Sequence, residues 1–145
     1  MIHSDTLDLD AMRAESGYWY LATPYSKYPA GVEGAFREAC QAAAWLVQER
    51  IGVYCPIAHT HPIAIHGQID PLDHAIWLPA DAPLMEGAAG LIVCMMPGWE
   101  ISYGIAQERA AFRLMDKPIH FMRWPHGVTR RDMTIRPDDT EHTDG

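Results

Sequence analysis

Two carboxylates in this chain have the types and surroundings to work as a pair, Glu108 and Asp81. A pair flanking a glycosidic bond can divide the labour of breaking it. One attacks or stabilises the anomeric carbon, and the other, protonated, helps the leaving group depart. The plainer alternative is a solvated helix glutamate at 108 and a helix cap at Asp81, after the break at Pro79. A second set is His59, His61 and His66 with Asp70, Asp73 and His74. These are metal-ligand types, but the spacing matches no strong zinc signature and no cysteine joins them, so they read first as loop histidines that shape a pocket or hydrogen-bond a ligand. A third set, Tyr20, Tyr25, Trp77 and Trp99, could stack on a base or belong to the core. Pro97-Gly98-Trp99 is not a dinucleotide fingerprint, and Thr23-Pro24-Tyr25-Ser26 is not a triphosphate loop. No G-x-S-x-G elbow occurs.

The elements that must position these groups centre on residues 90–115. Gly90 to Met96 is a continuous apolar run, the mark of a fully buried strand. After the Pro97-Gly98 break, Ser102 suits the N-cap of a helix reaching about Met115. The free N–H groups of such a helix start attract an anion. Gly104 and Glu108 are four apart, hence on one face, and the missing side chain at Gly104 opens a path to the Glu108 carboxylate.

Upstream, residues 1–16 read as an arm or a short added helix. Tyr18 to Ala22 reads as the first strand, ended by Thr23-Pro24. From Val32 to about Arg50 apolar residues at Val32, Ala35, Phe36, Ala39, Ala43, Leu46 and Val47 predict a helix. Ile51 to Cys55 predicts a second strand, and Ile57 to Asp70 a long functional loop. A helix capped by Asp70 follows, with Pro71 in its first turn, broken or kinked at Pro79 and resuming over 81–87. Ile119 to Met122 is the last strand. The alternation predicts an α/β fold: a small flavodoxin- or Rossmann-like three-layer arrangement with a parallel sheet of four to five strands. Ligands in such sheets sit beyond the strands' carboxyl ends, where loops 22–31, 55–70 and 96–103 converge. One domain over 17–125 is expected, followed by a polar, disordered tail over 126–145.

Composition narrows the partners. The 145 residues suffice for one core, and 48% are hydrophobic. A net charge of −8 argues against a nucleic-acid polymer or an anionic membrane as partner, yet leaves a mononucleotide open. Cys40, Cys55 and Cys94 are odd in number and sit in apolar segments, so buried free thiols in a reducing cytoplasm are expected. No apolar run approaches the roughly 18 residues of a membrane span.

Three stretches carry a resemblance. Tyr20-Leu21-Ala22-Thr23-Pro24-Tyr25, Asp81 ahead of a buried strand, and Gly98 to Ala110 with its Ser-x-Gly-x-x-x-Glu spacing resemble the nucleoside 2-deoxyribosyltransferase superfamily. That group includes 2'-deoxynucleoside 5'-phosphate N-hydrolases and CMP N-glycosidases. The nearest likeness is to one of its domain-of-unknown-function branches, in bacteria and phages, which share a strand-loop like Cys55 to His61. The resemblance spans roughly residues 18–122. It implies an N-glycosidic bond hydrolase or transferase acting on a nucleotide or nucleoside, without a cofactor or metal. It further implies Glu108 as the nucleophile at C1′, Tyr20 holding that carboxylate, and Asp81 handling the proton of the departing base. Ser102 and Gly104 would face a 5'-phosphate. Thr23, Pro24, Tyr25, His59, His61, Trp77, Gly98 and Trp99 complete the expected binding set. A homodimer or larger homo-oligomer is implied. The first loop departs from the family pattern, with Thr-Pro-Tyr-Ser where a glycine-containing turn is common, and His59, His61 and Trp99 have no counterpart role there. Asp70 or Asp73 could stand in for Asp81. Two other readings use the same residues: a non-catalytic nucleotide-binding module, and a metal-dependent hydrolase built on His59 and His61.

Overall fold

Residues 9–124 are described by a computed structural model of the chain. The expected tail at 126–145 lies outside the described residues, as does the first half of the N-terminal arm. The elements run α1 (Leu9–Ala14), β1 (Trp19–Ala22), α2 (Gly31–Gln48), β2 (Val53–Tyr54), α3 (Pro56–Gly67), α4 (His74–Glu86), β3 (Gly90–Met95), a 3-10 turn (Trp99–Ile101), α5 (Tyr103–Leu114) and β4 (Ile119–Arg123). The four strands form one parallel sheet in the order β2-β1-β3-β4. The fold is α/β, consistent with a small three-layer Rossmann- or flavodoxin-like arrangement.

The pleat divides the strand side chains into two cores. Trp19, Leu21, Ile92, Cys94 and Met122 point to one face, where Ala35, Ala39, Ala42, Trp45 and Leu46 of α2 cover them. Tyr20, Ala22, Leu91, Val93, Ile119 and Phe121 point to the other, under Ile105 and Phe112 of α5 and Met85 of α4. The buried stripe of α2 is rotated from the expected one. Val47 is 58% exposed, and Glu38 is buried instead, where its carboxylate accepts from Trp124 Nε1 at 2.8 Å.

Because β1 leads to β2 on one side while β3 lies on the other, the order of the strands reverses between β1 and β3. A crevice opens at such a reversal, beyond the strands' carboxyl ends. Gly98 brings its two loops together. Its φ of 89° is left-handed, and a Cβ there would stand 3.0 Å from the Lys27 carbonyl.

Three local expectations are corrected. The segment expected as a loop over 57–70 is the helix α3, with Pro56 in its first turn and Gln68 closing it in a left-handed conformation. The following helix starts at His74, capped by Asp73, whose side chain accepts from Ala75 N at 3.1 Å. Asp70 instead holds a turn through Leu72 N, at 3.0 Å. That helix is also continuous through Pro79 and Pro83. It lies at the surface, where water can meet the carbonyls that a proline leaves unpaired. Of the cysteines, Cys55 and Cys94 are buried free thiols, while Cys40 is half-buried. No described helix is long and apolar enough to cross a membrane.

Candidate active-site cleft

At the sheet's switch point the chain forms a cleft that is open to solvent at its mouth. Thr23, Tyr25 and Ser26 from the loop after β1 and Pro56, Ile57 and Thr60 from α3 make one wall. Trp77, Leu78 and Asp81 of α4, with the preceding Pro71 and Leu72, make the opposite wall, and Ser102, Gly104 and Glu108 close the third side. No lysine or arginine is among these lining residues.

The third side follows from the Ser102 cap. Its hydroxyl accepts from Ile105 N at 3.2 Å and fixes the start of α5. Gly104, one turn before Glu108, leaves open space: a Cβ there would meet only Ser102 Oγ, at 4.0 Å. Glu108 is 8% exposed and sits over the sheet face that carries Tyr20. Burial raises its carboxyl from the ordinary 4.5 to about 8; the Tyr20 hydroxyl pulls it down and the charge of Asp81 pushes it up. Asp81, across the cleft on α4, is raised to about 6, again chiefly by burial. The Tyr54 hydroxyl, 3.4 Å from its Oδ1, and His59 both work against that rise. The pair therefore holds a single proton between about pH 6 and pH 8.

Tyr20 does not line the cleft. It is fully buried in the floor, its ring packed on Tyr54 at 5.7 Å and Phe112 at 5.6 Å. Its hydroxyl has no partner in good hydrogen-bond geometry. Burial first, and Glu108 next, drive its pKa far upward, so it remains a phenol.

Of the residues singled out from sequence, Thr23, Tyr25, Trp77, Asp81, Ser102, Gly104 and Glu108 line one cleft. Pro24 is buried behind it. Gly98 serves the loop contact described above, and Trp99 is a core residue packed on Phe121 at 5.8 Å. His59 is exposed on α3, near Tyr54. His61 is 3% exposed and turned away, with Tyr25 on one ring nitrogen and Glu33 on the other. Among the described residues no three His, Cys, Asp or Glu side chains converge on a metal-sized point.

Tyr54 is an addition that sequence reasoning missed, and His74, named from sequence only within the histidine set, joins the cleft. Tyr54 stands in register with Tyr20 on the neighbouring strand, so both rings project from one sheet face. Aligning the two short strands could have found it. His74, ring to ring with Tyr103 at 4.4 Å, lines the mouth.

A family model described as "Domain of unknown function (DUF1937)" matches residues 17–124. None of the curated proteins matches the chain.

Proposed function

We propose that this chain, which belongs to the DUF1937 family of domains of unknown function, cleaves an N-glycosidic bond of a nucleoside or nucleotide through a covalent glycosyl-enzyme on Glu108. The observation that carries this reading is the pair of carboxyls, Glu108 buried and Asp81 half-buried, on two sides of one cleft and holding one proton at neutral pH. Retaining glycoside cleavage needs that stoichiometry, one ionised nucleophile and one protonated acid. The likeness of Tyr20 to Tyr25, Asp81 and Gly98 to Ala110 to the nucleoside 2-deoxyribosyltransferase superfamily supports the same assignment.

In the first step the Glu108 carboxylate attacks C1′ while the bond to the base nitrogen breaks. The Asp81 carboxyl gives its proton to that nitrogen. In the second, Asp81 as carboxylate takes a proton from water, the resulting hydroxide equivalent attacks C1′, and the ester to Glu108 breaks. A second base in place of water gives transfer. In the empty cleft the proton rests on Glu108, the weaker acid of the two. It must pass to Asp81 before attack. The unpartnered Tyr20 hydroxyl is the donor that stabilises the Glu108 carboxylate so formed. Trp77, Leu72 and Leu78 offer the base an apolar wall. A 5'-phosphate would meet the free backbone N–H groups of the first α5 turn and the Ser102 hydroxyl, which accepts from Ile105 N and keeps its own proton to donate.

The test is free-base release from a panel of ribo- and deoxyribonucleosides and their 5'-monophosphates, followed by chromatography. Wild type should release base from at least one member, and Glu108→Ala from none while keeping its circular dichroism spectrum. Equal release by the variant removes Glu108 as nucleophile. No release by wild type, with saturable binding, makes the chain a nucleotide-binding module.

A further inference from the structure

Behind the cleft wall a chain of hydrogen bonds runs to the surface. The Tyr25 hydroxyl, at the wall, is bonded to His61 Nδ1, and His61 Nε2 lies 3.0 Å from Glu33 Oε1. His61 is stacked on Phe36, with ring centroids 4.6 Å apart and an interplanar angle of 24°. The Glu33 side chain is 59% exposed and also meets Arg37, at 3.3 Å. An apolar side chain would fill the space of His61 between α2 and α3 at no cost in buried polar groups. The imidazole, with a partner at each nitrogen, does something else.

The direction of the bonds follows from the acceptor at the end. A carboxylate only accepts, so Glu33 requires the proton on Nε2. The neutral ring then has a bare Nδ1, and the proton in that contact must come from Tyr25. Burial, aided by the charge of Glu33, pushes Tyr25 up to about 12, so the phenol keeps its proton. With that proton committed inward, its oxygen offers the cleft only lone pairs. Thr60, on the same wall, is in the same position. Its hydroxyl donates to the Pro56 carbonyl at 2.9 Å.

We propose that Glu33 and His61 are positioning residues that fix Tyr25 as a hydrogen-bond acceptor, and that the Tyr25–Thr60 wall selects a ligand presenting a sugar hydroxyl there as donor. A fully ionised phosphate, which has no proton to give, belongs elsewhere in the cleft. The inference rests on the cleft being the ligand site proposed above, but not on bond cleavage within it.

Two measurements test it, and neither needs turnover. Long-range proton–nitrogen spectra of the full chain at pH 7.5, with the His61 signals identified by His61→Asn, should show Nε2 protonated and Nδ1 bare. Tyr25→Phe should move the Nδ1 signal. A proton on Nδ1, with or without one on Nε2, overturns the proposal. Binding is then titrated with the four ribonucleosides and their 2'-, 3'- and 5'-O-methyl forms. For the ribonucleoside that binds, methylating one hydroxyl should weaken wild type by about 5-fold, the worth of one hydrogen bond. It should leave Tyr25→Phe unchanged. Glu33→Ala should weaken the parent nucleoside 2- to 5-fold, and Glu33→Gln, which keeps an acceptor, should restore it. Equal binding of every methylated form, or binding by none of the nucleosides, overturns the selection. Absent base release with these results intact overturns only the glycosidase reading.

Discussion

Glu108 is a carboxyl held where ionisation is costly, and that cost is measurable without knowing the substrate. Its pKa rises from 4.5 to about 8 on folding, mainly through burial. A group raised in this way leaves the folded state at full stability below the unfolded pKa and weakens it as pH climbs to the folded one, because the unfolded chain ionises first. At about 1.4 kcal/mol per pH unit the loss totals on the order of 5 kcal/mol above pH 8. Glu108→Gln cannot ionise and escapes the loss. The variant's advantage should therefore grow with pH, from about 1 kcal/mol at pH 5 through about 3 at pH 7 to between about 4 and 5 at pH 8.5, over a constant offset for the swap itself. Other titrating groups, Asp81 included, are present in both proteins and largely cancel in the difference. The assay is urea unfolding of both proteins at those three pH values, comparing midpoints at constant slope. A difference that stays flat from pH 5 to 8.5 would mean that water reaches Glu108, and the shared proton on which the mechanism depends would go with it.

Asp81→Asn removes the charge that helps to raise Glu108, so the Glu108 titration should move to lower pH, as read by carbon NMR of the glutamate carboxyls. Lys117 donates from Nζ to the carbonyls of Met85, Glu86 and Ala88 and so closes the end of α4. Lys117→Met should cost about 2 kcal/mol in urea unfolding without changing ligand affinity. Gly90→Ala would place a methyl 2.4 Å from the Trp19 ring and 2.8 Å from the Pro118 carbonyl. Between buried strands it should cost about 1–3 kcal/mol, seen as a lowered melting temperature.

What could be read in the sequence is what short-range chemistry decides. The run Gly90 to Met96 is apolar on both sides of the pleat, and only a strand covered on both faces uses such a run, which here became β3. Ser102 works as a cap through an atom three residues away. That locality is why the spacing of Ser102, Gly104 and Glu108 could be turned into one side of a cleft before any fold was known. Asp81 is different. Its approach to the cleft depends on α4 running unbroken through Pro79 and Pro83, and proline chemistry argues for a break there. The opposing fact, a surface helix whose spare carbonyls water can satisfy, is tertiary.

The histidine segment failed for a related reason. Pro56, Pro62 and three histidines argue for a loop, and the apolar residues show no one-sided stripe, since Ile63 and Ile65 point outward and Ala64 inward. What makes α3 a helix is its seat against α2, which no local signal records. Once helical, the segment turns His61 away from the cleft, onto Glu33 and behind Tyr25. The same helix puts His59 in solvent and His61 in the core, two histidines that the sequence had placed in one loop. Sequence spacing thus assigns a residue to the cleft only as far as it also fixes the residue's element. It did so for Glu108, less than two turns from a strong cap, and not for His61, whose helix is set by its neighbours.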